Sequence, residues 1–100
     1  MSTTHFLKSS HKQFDPIWTG VKTHDLRRSD DRNFVVGDGV VLMEQTSDHD
    51  GYTGRRIRAV IGYITSRDNH CALSPQALHE DFAILSLKNF ERVDENGEFL

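Results

Sequence analysis

The longest regular pattern in the sequence is an alternation of side chains over residues 55–65, which is typical of a β-strand. One face of this run becomes apolar after its first residue; it consists of Arg55, Ile57, Ala59, Ile61 and Tyr63. The other face begins with Arg56 and Arg58 and ends apolar at Ile64. We therefore expect one end of this strand to be solvated and the other to be buried.

Shorter apolar runs predict further strands over residues 5–8, 40–44 and 82–87. The sequence Gly37-Asp38-Gly39 predicts a tight turn before the second of these. A helical turn is expected over residues 75–78, in a loop that otherwise spans residues 66–79. The pattern indicates a mainly β chain with one or two short helices (α+β), arranged as a small, mostly antiparallel β-barrel.

A short helix is predicted between residues 10 and 20. Its apolar face consists of Phe14, Ile17 and Trp18. Ser10 and Gln13 have the spacing of a capping box, and Gly20 is a natural C-terminal stop. Pro16 lacks the backbone donor that an interior helical position needs, so either the helix kinks there or Asp15 caps a shorter helix.

Composition favours one soluble domain spanning residues 1–100, without a membrane span or signal peptide. The single cysteine, Cys71, excludes an internal disulfide, and we expect a cytoplasmic protein. A net charge of −3 argues against a broad phosphate-binding surface. The acidity is concentrated in residues 71–100, which hold six acidic and only two basic side chains. The net charge therefore does not exclude a local basic cluster in residues 1–70. Residues 94–100 are predicted to be a flexible acidic tail.

The segment after Gly20 is the main candidate for a site. Alternation from Lys22 places Lys22 and Arg28 on one face, and Thr23, Asp25 and Arg27 on the other. A lysine binds phosphate as a point charge and an arginine binds it bidentately. The alternative is a salt bridge from Asp25 to Lys22 or Arg27 that anchors the barrel mouth.

A second basic group consists of Arg55, Arg56 and Arg58. These residues form either the solvated end of a strand or a rim of the cleft that contacts the phosphates of a nucleic acid. Tyr52, in a predicted loop, is a candidate to stack on an unpaired base, whereas Trp18 is expected in the core. His70-Cys71 and His79-Glu80 do not have the spacing of a zinc motif. We predict no metal site and no cofactor.

Three segments, in this order and spacing, resemble one known family. They are Gly20-Val21-Lys22-Thr23-His24-Asp25-Leu26-Arg27, Phe34-Val35-Val36-Gly37-Asp38 and Gly51-Tyr52-Thr53-Gly54-Arg55. The chain resembles the ASCH superfamily, with its PUA-like β-barrel, over roughly residues 4–87. It is most similar to short phage and bacterial ASCH-like proteins that have no assigned function.

The resemblance implies binding of RNA, single-stranded nucleic acid or a nucleotide in a cleft beside the Gly-x-Lys motif. The residues expected to line it are Lys22, Thr23, Asp25, Arg27, Arg28, Tyr52 and Arg55. One branch of the superfamily is an amidohydrolase acting on acetylcytidine, so an alternative is catalysis by Lys22 and Asp25 on a modified nucleoside. Asp25 stands where that branch has a threonine. A second alternative is a phage-type accessory protein that binds a host protein through the acidic C-terminal third.

Overall fold

A computed structural model describes residues 2–69 and 76–99. Within these ranges the elements are β1 (Thr4–Ser9), α1 (His11–Trp18), β2 (His24–Arg28), β3 (Gly39–Gln45), β4 (Tyr52–Ser66) and β5 (Phe82–Val93). The mainly β, α+β fold with a short helix is thereby confirmed. The predicted helical turn at 75–78 and the pair His70-Cys71 fall wholly or partly outside the described residues.

The five strands form one curled sheet in the order β1-β3-β4-β5-β2. Only the β1–β3 pair is parallel; the other three pairs are antiparallel. β1 and β2 are therefore the two edges of the sheet, and curling brings them near each other without a shared backbone ladder. The edges are joined instead by a side chain, because Nη1 of Arg27 donates to the backbone oxygen of Lys8 at 2.7 Å.

The alternation of β4 holds over its middle and fails near its end. Ile57, Ala59 and Ile61 are buried, as predicted, but Tyr63 is 55% exposed. The pairing with β5 shifts between Ile61 and Tyr63, so the predicted position of Tyr63 on the apolar face is wrong. A register shift of this kind reverses the faces of all later residues, and Ile64 packs against the core in its place.

The helix packs its apolar face on the sheet. Phe14 and Ile17 are buried in the core, and Trp18 is partly buried against it. The helix runs through Pro16, so Asp15 is not its cap. Ser10 stands at the N-cap position, but no side-chain capping bond forms there, and the predicted capping box is wrong.

The end of α1 determines where the following residues lie. Gly20 has φ +87°, and its N–H donates to the oxygen of Ile17. The N–H groups of Val21 and Lys22 both donate to the oxygen of Pro16. The bonds from Gly20 to Ile17 and from Val21 to Pro16 together form a Schellman motif, which satisfies carbonyls at the helix end. The backbone of Lys22 is therefore fixed directly by the helix.

Gly20→Ala is expected to destabilise the fold by about 1 kcal/mol, because the left-handed conformation is unfavourable for a residue with a Cβ. In the part of the chain that the structure describes, no atom lies within 4 Å of the added Cβ, so the cost comes from the backbone alone. Urea denaturation followed by circular dichroism measures it. Gly51→Ala is the control, since Gly51 has equally open space and no positive φ. Equal losses in the two variants would contradict the assignment.

Candidate functional site

Two hollows lie along the seam, the gap between the edge strands β1 and β2. The first has a volume of about 350 Å³, and its polar lining residues are Lys8, Ser9, Ser10, Gln13, Lys22, Asp25 and Arg27. The second measures about 270 Å³ and is lined by Leu7, Lys8, Arg27, Arg28, Asp31, Arg32 and Phe34. Lys8 and Arg27 line both, so the two hollows form one continuous feature across the seam.

The seam is basic although the chain as a whole carries a net charge of −3. The cations that line the two hollows are Lys8, Lys22, Arg27, Arg28 and Arg32. The carboxylates that line them are Asp25 and Asp31. A local excess of positive charge in a concave surface attracts anions, and the low-dielectric walls strengthen that attraction.

Asp25 and Arg27 form a largely buried ion pair in the wall of the first hollow. Asp25 is 4% exposed, and Nε of Arg27 donates to its Oδ2 at 2.5 Å. The same guanidinium donates to the oxygen of Lys8 across the seam. Of the two salt bridges that the sequence left open for Asp25, the structure forms the one with Arg27. Asp25 therefore holds Arg27 in its bridging position between the edge strands.

Lys22 lies in the same hollow, although alternation predicted it on the opposite face from Asp25. The difference arises because β2 begins at His24, and Lys22 still belongs to the turn that ends α1. Its Nζ donates to Oε1 of Gln13 at 2.7 Å, a neutral acceptor. Within the described ranges no carboxylate forms an ion pair with Lys22. The ammonium thus brings an uncompensated positive charge into the hollow.

The other expected site residues are distributed over three places. Thr23 lines a third hollow, which Lys22 lines as well. Arg28 lines the second hollow and pairs with Asp30 through two hydrogen bonds of 3.0 and 3.1 Å. Tyr52 is 49% exposed at the start of β4. Neither Tyr52 nor Arg55 is among the residues that line the seam, so the structure does not bring these two together with Lys22.

Arg55 pairs with a buried carboxylate, Glu44, which the sequence pattern did not predict to be a partner. Glu44 is 1% exposed and accepts hydrogen bonds from Nε and Nη2 of Arg55 at 2.8 and 2.7 Å. Thr53 Oγ1 donates to it at 2.6 Å, and Nδ1 of His11 lies 2.7 Å from it. These bonds, that of Arg55 foremost, lower the pKa of Glu44 to about 2. An acidic residue inside the apolar run of β3 was the available signal.

Two further observations bear on the kind of site. Among residues 2–69 and 76–99, no three His, Cys, Asp or Glu side chains are grouped closely enough to hold a metal ion. Over the same ranges, none of the helical structure is long and apolar enough to cross a bilayer.

The geometry defines the class of protein as a small, mainly β domain with a basic seam between the edges of a curled sheet. Residues 4–87 match a family described as a domain of unknown function, DUF3850. Because the match covers most of the chain, the chain belongs to this family. No curated protein matches it.

Proposed function

We propose that this domain is of the ASCH type and binds RNA, single-stranded nucleic acid or a nucleotide through the basic seam. The observation that carries the proposal is that the described residues lining the seam include five cations and two carboxylates, in a chain with a net negative charge. Phosphate contacts supply most of the affinity in such complexes, and they need local rather than overall positive charge.

Lys22 is the principal phosphate contact in this proposal. Its ammonium has donors to spare beyond the one bond to Gln13. Arg27 is already held by Asp25 and the Lys8 carbonyl, so it acts as a positioned donor with less freedom to follow a ligand. The positive surface extends along the seam through Lys8, Arg28 and Arg32. In this proposal these side chains contact further phosphates of the bound nucleic acid.

The pairing of Asp25 favours binding over the hydrolase alternative. A lysine that acts as base or nucleophile needs a partner that orients it or accepts its proton. Asp25 makes its ion pair with Arg27, and the partner of Lys22 is the amide of Gln13. A Lys22–Asp25 catalytic pair would require this arrangement to change, whereas phosphate binding uses it as it stands.

Lys22→Gln is expected to weaken binding of a short single-stranded RNA by about tenfold at low salt, because one phosphate contact is lost. The dependence of log affinity on log salt concentration should become shallower by about 0.7. Fluorescence anisotropy of a labelled uridylate oligomer, measured from about 50 to 200 mM salt, gives both quantities.

The control is Lys88→Gln, which makes the same change in net charge. Lys88 is exposed on β5 and lines neither hollow of the seam. It is expected to retain nearly all of the affinity. If both variants lose affinity equally, the effect is one of overall charge and the assigned seam is rejected. Unchanged binding in Lys22→Gln rejects it as well.

A further inference from the structure

The third hollow, which shares Lys22 with the seam, has a composition unlike the other two. It measures about 350 Å³. Its floor is formed by Ile17 and Ile57, and Trp18 and Phe90 are its aromatic walls. The cations Lys22 and Arg92 also line it, together with Thr19, Gly20 and Thr23, and none of the lining residues that the structure describes is a carboxylate. A cavity with an apolar floor, aromatic walls and two cations suits a flat ring that is attached to an anionic group.

A β-bulge in β5 creates this lining. Val60 is opposite Lys88 and Arg58 is opposite Glu91, so the two residues Asn89 and Phe90 face Ala59. Asn89 has φ +57°, the left-handed conformation in which asparagine is among the best tolerated of the residues that have a Cβ.

The bulge decides which side chains of β5 reach the hollow. Beyond it, Ile57 is opposite Arg92, and residues opposite each other in a ladder share a face. Uninterrupted alternation from Leu87 would place Glu91 on that face instead. Because of the bulge, Arg92 rather than Glu91 lies on the same face as Ile57, and Phe90 lies on that face as well. Bulges commonly re-aim side chains beside binding sites.

Trp18 is held in place by groups behind the hollow. Its ring stacks on the buried Phe14 with centroids 5.7 Å apart. The guanidinium of Arg55 lies 4.6 Å from the centroid of Trp18 and is itself fixed by Glu44. On the lining side, the guanidinium of Arg92 lies 5.5 Å from the same ring. The aromatic platform is thus ordered before any ligand arrives, which lowers the entropic cost of binding.

We infer that this hollow receives an unpaired nucleobase, which stacks on Phe90 and on the guanidinium plane of Arg92 beside Trp18, while its phosphate contacts Lys22. The inference rests on the proposed function and narrows it to single strands or nucleotides. Paired bases are stacked inside a duplex and do not reach such a cavity, whereas unpaired bases stack readily on aromatic side chains and guanidinium planes. Recognition through ring faces tolerates different bases, so weak sequence preference follows.

Trp18 is the single tryptophan of the chain, so its fluorescence reports directly on the hollow. The test compares a short uridylate oligomer with an abasic ribose-phosphate oligomer of the same length. The wild-type protein should bind the uridylate about tenfold more tightly, and only the uridylate should quench Trp18. Phe90→Ala should remove most of that preference and leave abasic binding unchanged.

Tyr63→Ala is the matched control, because Tyr63 is an exposed aromatic residue of β4 that does not line the hollow. It should keep both the preference and the quenching. If Phe90→Ala does not fold, Phe90→Leu keeps apolar volume without the aromatic face and should lose most of the preference as well. Equal binding of both oligomers without quenching overturns the base site and leaves the seam proposal standing. If neither oligomer binds, the proposed function fails and this inference fails with it.

Discussion

Glu44→Gln is expected to lower the free energy of unfolding by about 3 kcal/mol near neutral pH, because it removes a buried carboxylate that its hydrogen-bond donors, Arg55 foremost, stabilise in the charged form. Glu44 is 1% exposed and accepts both donated hydrogens of Arg55. The amide NH2 of glutamine would also face the hydrogen-bond donors of Arg55 and Thr53, so at least one of these donors would lose its acceptor. Urea denaturation of both proteins measures the difference.

The same residue predicts how stability depends on pH. The pKa of Glu44 is about 2 in the folded protein, against 4.5 for an unperturbed glutamate. A lowered folded-state pKa stabilises the fold above the unfolded pKa, and that stabilisation disappears as pH falls through the folded pKa. The wild-type protein should therefore lose about 3 kcal/mol between about pH 5 and pH 2 from this group.

The contribution of Glu44 is isolated by subtracting the free energy of unfolding of Glu44→Gln from that of the wild type at each pH. Hydrogen bonds to the side chains of Asp30, Asp38 and Asp48 also lower the pKa of each, and those groups titrate in both proteins. The difference in stability between wild type and Glu44→Gln should shrink as pH falls. Two parallel pH curves would contradict the assignment. Glu91→Gln is the control, since its pair with Arg58 is exposed and should be worth under about 1 kcal/mol.

The parts of the fold that could be predicted from the sequence depend on local pattern. The buried face of β4 follows from alternation at Ile57, Ala59 and Ile61. The end of α1 follows from Gly20, because glycine adopts the left-handed conformation that a Schellman motif needs. In each case the residues that decide the outcome are neighbours in the chain, so periodicity or a single glycine is a sufficient signal.

The arrangement of the site depends on contacts that no local pattern contains. The bond from Arg27 to Lys8 joins residues 19 positions apart, and it exists because the curled sheet brings its two edges together. The sequence left open whether Asp25 pairs with Lys22 or with Arg27, and only the structure shows that the partner is Arg27. Lys22 reaches the hollow from the helix end rather than from a strand, because the oxygen of Pro16 holds its N–H.

The bulge at Asn89 shows the same limit for the third hollow. Asn89 is compatible with a bulge because asparagine tolerates a positive φ, but asparagine is equally typical of turns, so the sequence around residues 87–93 does not identify an extra residue. The bulge appears only when β5 is paired with β4, and it then decides that Arg92 rather than Glu91 shares a face with Ile57. Helical spacing correctly predicted that Trp18 packs on the core, where it is partly buried, but could not show that the same ring also walls a cavity.

Arg27→Met is expected to destabilise the protein by about 3 kcal/mol, because Asp25 would remain buried without a counter-charge. Asp25 is 4% exposed, so solvent cannot replace the lost partner. The double variant Asp25→Leu/Arg27→Met removes the buried charge as well and should lie within about 1 kcal/mol of the wild type. Urea denaturation of the four proteins of this double-mutant cycle gives the coupling free energy directly.

Arg28→Met is the matched control for the Arg27 substitution, since Arg28 pairs with Asp30 at an exposed position and should change stability by less than about 1 kcal/mol. A coupling energy near zero would show that the stability contributed by Asp25 does not depend on Arg27.

RNA binding by the same variants shows what Arg27 contributes to the site. If the coupling is strong, a loss of binding in the single variant Arg27→Met reports mainly a disturbed seam. The double variant also lacks the bond to the Lys8 oxygen, but it no longer holds an unpaired charge at Asp25, and Lys22 remains. Retained affinity in the double variant shows that Arg27 serves mainly to compensate Asp25, and a further loss of affinity shows that the guanidinium itself supports binding.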